Sequence, residues 1–169
     1  MGARAVGPLR YSTPMAADHH LILAPCDPAD PDFAGLVRRL DAYLAVTDGD
    51  EHAFYDQFND AGSLDAAVLL RLGGVAIACG GYRVRSADTV EVKRMYVREG
   101  YRRCGAAAEV LAALERDARE AGYRRAVLET GLRQRAAVRF YEARGYRRLA
   151  RNYPPYEGMA NSVCYEKSL

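Results

Sequence analysis

The sequence contains no CxxC pair, and none of its four cysteines, Cys26, Cys79, Cys104 and Cys164, has a histidine nearby at zinc spacing. That pattern speaks against a metal site. Scattered, unpaired cysteines fit a reducing, cytoplasmic setting. Long hydrophobic runs are also missing. No segment approaches the apolar length of a membrane span, and the N-terminus has no uninterrupted apolar core of signal-peptide length. There is no large excess of charge either: 24 Lys and Arg face 22 Asp and Glu, a formal net charge of +2. Arginines are plentiful between Arg94 and Arg139, but this near-neutral balance gives no reason to expect a nucleic-acid or anionic-membrane partner. Internal repeats and a second-domain linker are absent.

What is present reads as one globular domain. The 169 residues are 50% hydrophobic and 27% charged, enough to build a single substantial core. Residues 1–17 mix Gly, Pro, Ser and Arg without periodicity and read as a flexible leader. Residues 18–169 form the domain. Residues 21–24 are a short strand, stopped by Pro25. Apolar residues at Phe33, Leu36, Val37, Leu40, Tyr43 and Leu44 have helical spacing, with Asp30 or Asp32 as cap. A second short helix starts near Asp50 and includes His52, Phe54, Tyr55 and Phe58. Strands over 66–72, 75–84 and 89–97 follow, the first two joined at Gly73-Gly74, and make an antiparallel meander.

A long helix over 105–121 carries one apolar stripe and stops at Gly122. Next come a strand over 125–130, a helix over about 134–144 ended by Gly145, a short strand over 146–150, a loop over 152–158 and a closing strand over 162–167. The β–α–β order in this half requires a right-handed crossover between parallel strands.

The chemistry concentrates where the strand 89–97 feeds the helix at 105. Arg102-Arg103-Cys104-Gly105-Ala106-Ala107 places small residues and two guanidinium groups at a helix N-terminus. There the unpaired backbone N–H groups and the helix dipole favour an anion such as a diphosphate. Taken alone, this turn is equally an ordinary helix start with surface arginines.

A second motif adds to it. Arg102-x-x-Gly105-x-Ala107, followed by Gln134-x-x-Ala137-x-x-x-Tyr141-Glu142-x-x-Gly145-Tyr146, resembles the two motifs of the GNAT superfamily, the acyl-CoA-dependent N-acyltransferases. The likeness extends from about residue 20 to the C-terminus. Two positions depart from the usual pattern: Ala107 stands where Gly is common, and Gln134 where Asn is usual.

The resemblance implies an α/β (α+β) GNAT fold. Its central sheet is mixed but mostly antiparallel, with six to seven strands and about four helices, and a splayed parallel strand pair forms the cofactor cleft. It implies acetyl-CoA as co-substrate, no metal, and a small-molecule or peptide amine as acceptor, attacked directly in a ternary complex. By family position, Tyr141 is the proton donor to the leaving thiolate and Glu91 the base; Glu129, on the next strand, is a less favoured alternative. Read alone, Tyr141 is a core aromatic on its helix and Glu91 a surface glutamate paired with Lys93 or an arginine. Met95, Tyr96 and Val97 hold the pantetheine through backbone groups, while residues 102–107 and Gln134 contact the remainder of the cofactor. Acceptor recognition would draw on Asp48, Asp50, Glu51, His52, Phe54, Tyr55, Tyr153, Tyr156 and Glu157, although Asp48 to Glu51 read equally well as a solvated turn and cap. The aromatic-rich C-terminal strand could support a homodimer. The alternative function on the same fold is a non-catalytic acyl-CoA-binding module.

Overall fold

The computed structural model describes residues 20–49 and 63–169, together with the backbone of Arg4 and Ala5. One sheet organises these residues. Its strands are β1 (Arg4–Ala5), β2 (Leu21–Cys26), β3 (Ala66–Leu72), β4 (Val75–Val84), β5 (Thr89–Val97), β6 (Arg125–Gly131), β7 (Arg147–Arg148) and β8 (Ser162–Ser168). Their spatial order is β1-β2-β3-β4-β5-β6-β8-β7. Every neighbouring pair is antiparallel except β5 and β6. The helices are α1 (Pro31–Asp48), α2 (Ala106–Glu120) and α3 (Arg135–Ala143), with a 3-10 turn at Glu99–Tyr101. The mixed, mostly antiparallel architecture expected from the sequence is present. The expected helix near Asp50 lies outside the described residues.

Several boundaries shift by a few residues from the sequence reading, and two of the shifts are informative. Strand β2 does not stop at Pro25 but runs through it to Cys26, pairing Pro25 with Val68. Proline lacks only the N–H, and near a sheet edge a position whose N–H faces away from the ladder tolerates it. Helix α1 extends four residues beyond Leu44, the last apolar position of its pattern, to Asp48, before Gly49 turns the chain at φ 58°. Its start is as expected: Asp30 accepts from the backbone N–H groups of Asp32 and Phe33.

The two motif helices end alike. Gly122 and Gly145 take positive φ, 97° and 86°. In α2, Gly122 donates to Arg119 O and Tyr123 to Ala118 O; in α3, Gly145 donates to Glu142 O and Tyr146 to Tyr141 O. Both are Schellman stops, which only glycine accommodates cheaply. The second carries Tyr146 back over α3, so that its ring lies 5.7 Å from that of Tyr141.

Two apolar clusters cover the two faces of the sheet. Phe33, Leu36 and Val37 of α1 pack with Leu64, Ala67, Leu69 and Cys79. Val110, Leu111, Leu114 and Ala118 of α2 pack with Val68, Leu70, Val90, Val92 and Leu128, and this cluster reaches Tyr141 and Tyr146. The chemically important feature lies between the clusters. Strands β5 and β6 pair only from Thr89–Arg125 to Glu91–Val127, and beyond that row no pairing joins them. The sheet therefore opens at its centre.

Candidate active site

A bulge in β5 decides which side chains enter that opening. Lys93 pairs with Gly81 and Tyr96 with Cys79, so Arg94 and Met95 together oppose Gly80 alone. Arg94 takes φ 59° to absorb the extra residue. Glu91 and Lys93 therefore share one face, while Met95 crosses to the α2 side. A Cβ on Gly80 would come within 2.5 Å of Met95 Sδ and 2.9 Å of Val110, so only glycine leaves room for this crossing.

Past the bulge, Arg98 donates to Ile77 O on β4. Strand alternation turns Tyr96 the same way and leaves the backbone groups of Met95 and Val97 directed away from β4, into the opening. One of them, Val97 O, accepts from Arg102 Nε at 3.2 Å.

Of the residues singled out in the sequence, Met95, Tyr96, Val97, Arg102, Arg103, Gly105, Ala106, Ala107, Gln134 and Tyr141 line one groove of about 560 Å³. Gly105, at φ 89°, precedes α2 and offers no capping side chain. The first helical backbone bond runs from Glu109 to Gly105 O. The N–H groups of Ala106, Ala107 and Ala108 thus lack intrahelical partners at the groove wall, an arrangement that suits an anion. Arg102 flanks it, its guanidinium carbon 5.3 Å from the Tyr43 ring and 5.9 Å from that of Tyr96. Cys104 is the exception. It is not part of the groove wall, and its thiol donates to Tyr101 O.

A second, smaller cavity of about 120 Å³ adjoins the groove. Leu40, Met95, Gln134, Ala137 and Tyr141 belong to both. Its other walls include Asp48, Glu91, Lys93, Arg94, Glu129, Thr130 and Tyr156. The two candidate carboxylates therefore share a cavity, but their surroundings differ. Glu91 is 1% exposed. Its Oε2 accepts from Arg83 Nε at 2.6 Å and lies 3.5 Å from Arg85 Nη1. Its Oε1 accepts from Tyr153 and Tyr156 at 3.2 and 3.1 Å, with Lys93 Nζ 3.7 Å away. Both oxygens are committed to cations and phenols.

Glu129 lies two residues past the last paired row of β6. Ser162 donates to its Oε1 at 2.7 Å. Burial raises its pKa to about 7, against the lowering effects of the Ser162 hydrogen bond and Lys93. Burial also pushes the Tyr141 phenol well above its ordinary value, and the Glu129 charge adds to this. The Tyr141 ring packs edge-on against Phe140 and Tyr146. Gln134 accepts from Thr130 Oγ1 at 3.4 Å through its Oε1. Across one cavity, then, stand a carboxyl able to accept a proton near neutral pH and a phenol that keeps its own.

The acceptor-side residues named from sequence divide. Asp48 and Tyr156 line the cavity; Tyr153 reaches Glu91; Glu157 lies at a separate depression formed by residues 148–162. Asp50, Glu51, His52, Phe54 and Tyr55 lie outside the described residues. Sequence reading left the arginine partner of Glu91 unnamed, and the structure supplies Arg83 and Arg85. The hairpin over Ser86–Asp88 held the signal, since residues equidistant from residue 87 pair across it, Arg83 with Glu91 and Val84 with Val90. Among the described residues there is no cluster of His, Cys, Asp and Glu that could hold a metal ion, and no helix long and apolar enough to cross a membrane.

The geometry agrees with what known proteins show. The sequence model of the acetyltransferase (GNAT) family matches residues 35–146. No curated protein sequence matches this one. Among solved structures, a protein from Klebsiella pneumoniae subsp. pneumoniae, provisionally assigned as an acyl-CoA N-acyltransferase, is 29% identical. It superposes with a TM-score of 0.74 over 88% of this chain and 97% of its own. A GNAT family acetyltransferase from Elizabethkingia anophelis, solved with acetyl-CoA bound, shares the fold at 20% identity and a TM-score of 0.64, covering 88% and 98% of the two chains. A GNAT family acetyltransferase from Staphylococcus aureus does so at 15% identity and 0.65, covering 87% and 99%. Both motifs, the opened β5–β6 pair and the family match over residues 35–146 lead to one assignment: this chain belongs to the GNAT family of acetyltransferases.

Proposed function

We propose that the protein transfers an acetyl group from acetyl-CoA to a primary amine of a small molecule or peptide, by direct attack within a ternary complex. One observation carries this reading: the groove at the α2 N-terminus and the cavity holding Glu129 share Tyr141 and Met95 as a common wall. A diphosphate fits the unpaired N–H groups of Ala106 to Ala108, with Arg102 and Arg103 supplying charge. The pantetheine fits the free edge of β5 at Met95 and Val97, whose backbone groups have no strand partner on that side. The thioester then lies at the shared wall, with the cavity left for the acceptor. That a GNAT protein of the same fold holds acetyl-CoA is consistent with this cofactor.

Acetyl-CoA supplies an activated acyl carbon. A protonated amine cannot attack it, so the acceptor must first lose a proton. Glu129 fits this task better than Glu91, because it has a proton affinity near neutrality and is not held by several cations. The amine nitrogen then bonds to the acyl carbon as the C–S bond breaks. Tyr141, protonated and beside the shared wall, donates to the departing sulfur, and the proton shed by the nitrogen as the amide forms restores the phenol. Glu91 acts by position: it ties Arg83, Arg85, Tyr153 and Tyr156 together and so fixes the loop after β7 over the cavity.

Calorimetry with acetyl-CoA, followed by thiol release across pooled amines, polyamines, amino acids, aminoglycosides and peptides, tests the reading. Expected are micromolar-range binding and release with at least one pool. Tight binding without release on any amine would instead identify a non-catalytic acyl-CoA-binding module.

A further inference from the structure

The cavity beside the groove contains cations that acetyl transfer to a simple amine does not require. Lys93 is one of three cations gathered around the carboxylate of Glu91, the others being Arg83 and Arg85, and it shares the cavity wall with Asp48 and Glu129. Lys93 Nζ donates to Tyr156 at 3.0 Å and has donors to spare. Arg94 follows directly. Its side chain is 4% exposed, and its Nη2 donates to Asp41 Oδ1 of α1 at 2.7 Å. Its Nε is buried without a partner.

This arginine is placed at some cost. It occupies the left-handed backbone region, which a long side chain seldom adopts, and it leaves a guanidinium donor unmet beneath a cavity wall. Arg94 lines the cavity, so a carboxylate there would meet its charge, and the neighbouring ammonium would add to the attraction. The carboxyl of Glu129 also lines this cavity. Its volume, about 120 Å³, holds several water-sized groups. A small zwitterion matches both ends.

Resting on the acetyltransferase reading above, we propose that the acceptor is a free amino acid or a close analogue, its carboxylate held by Arg94 and Lys93 while its amine faces Glu129. The bound carboxylate also favours the charged form of Lys93, whose pKa burial otherwise lowers.

The test compares each standard amino acid with its carboxamide and with the amine lacking the carboxyl group, by thiol release from acetyl-CoA. Wild-type protein should favour one or more free amino acids over both analogues by about tenfold or more in kcat/KM. Arg94→Gln should abolish that preference mainly through the acceptor KM, with the acetyl-CoA KM unchanged, and Arg94→Lys should restore part of it. Equal turnover of amino acids and their carboxamides by wild-type protein would overturn the inference and leave the acetyltransferase reading intact. Release with peptides or polyamines alone would do the same. No release with any acceptor, despite acetyl-CoA binding, would overturn both. The wild-type comparison decides the matter even if the Arg94 variants fail to fold.

Discussion

Glu129 and Tyr141 line the same cavity, and the charge of the carboxylate adds to burial in raising the proton affinity of the phenol. This pairing gives a definite pH dependence. With a pKa of about 7, Glu129 is protonated, and inert as a base, in acid; it ionises as pH rises through neutrality. Acetyl transfer should therefore rise with pH through about 7, beyond any limb that belongs to the amine itself. Glu129→Gln should lower turnover by roughly 10²–10⁴ and remove that limb, read from kcat/KM profiles of both proteins. The same shift has a thermodynamic consequence of opposite sense. A carboxyl whose folded pKa lies above its unfolded value adds stability below the unfolded value, lost as pH rises through the folded one. Glu129→Gln should thus raise Tm relative to wild type at pH 8, by roughly a few degrees, with the gap closing toward pH 5. A variant slower and less stable at pH 8 would indicate a structural role for Glu129.

Tyr141→Phe removes only the hydroxyl. The ring stays in its stack with Phe140 and Tyr146, so the fold should persist. Turnover should fall by roughly 10²-fold or more with little change in acetyl-CoA affinity. Stopped turnover assays and calorimetry on the same preparation separate the two. Equal turnover in the variant and wild type would remove Tyr141 from the mechanism.

Much of this site was legible in the chain. The Gly105 start and the Gly122 and Gly145 stops rest on local backbone chemistry, which a sequence carries directly. The meander follows from strand alternation and from the turns at Gly73-Gly74 and Ser86–Asp88. What escaped was tertiary. Nothing local distinguishes Glu91 from Glu129: each is a single glutamate on an apolar strand. They differ because β4 and the residue that follows it supply Arg83 and Arg85 to one, while β8 supplies Ser162 to the other. The bulge at Arg94 was likewise not legible in position. It depends on Gly80 of β4 facing Met95, a contact between strands.

Glu91 therefore earns a prediction of a different kind. Glu91→Gln keeps the shape but leaves Arg83, Arg85 and the buried Lys93 without their counter-charge. The cost should be about 2–4 kcal/mol, short of a fully buried case because the arginines are partly exposed. A urea midpoint measures it. Turnover per folded molecule should fall less than for Glu129→Gln. An unchanged midpoint with a collapse of turnover would return the role of base to Glu91.

The N-terminus of α2 offers a substitution whose two effects have opposite signs. Ala107 lies in the first turn, half-buried at the groove wall, where backbone N–H groups are unpaired. A carboxylate there suits the positive end of the helix dipole, so Ala107→Glu should leave stability unchanged or raise it by about 0.3–1 kcal/mol. The same carboxylate would stand where the diphosphate is proposed to bind, adding repulsion and blocking donors. Acetyl-CoA affinity should then fall by about tenfold or more. Ala107→Gln, similar in size but uncharged, should lose less, and raising the salt concentration should narrow the difference between the two variants. Calorimetry of both variants at two ionic strengths, beside their thermal melts, would show whether charge at this turn governs cofactor binding. If the two variants bind equally at low salt, the α2 N-terminus is not the diphosphate site.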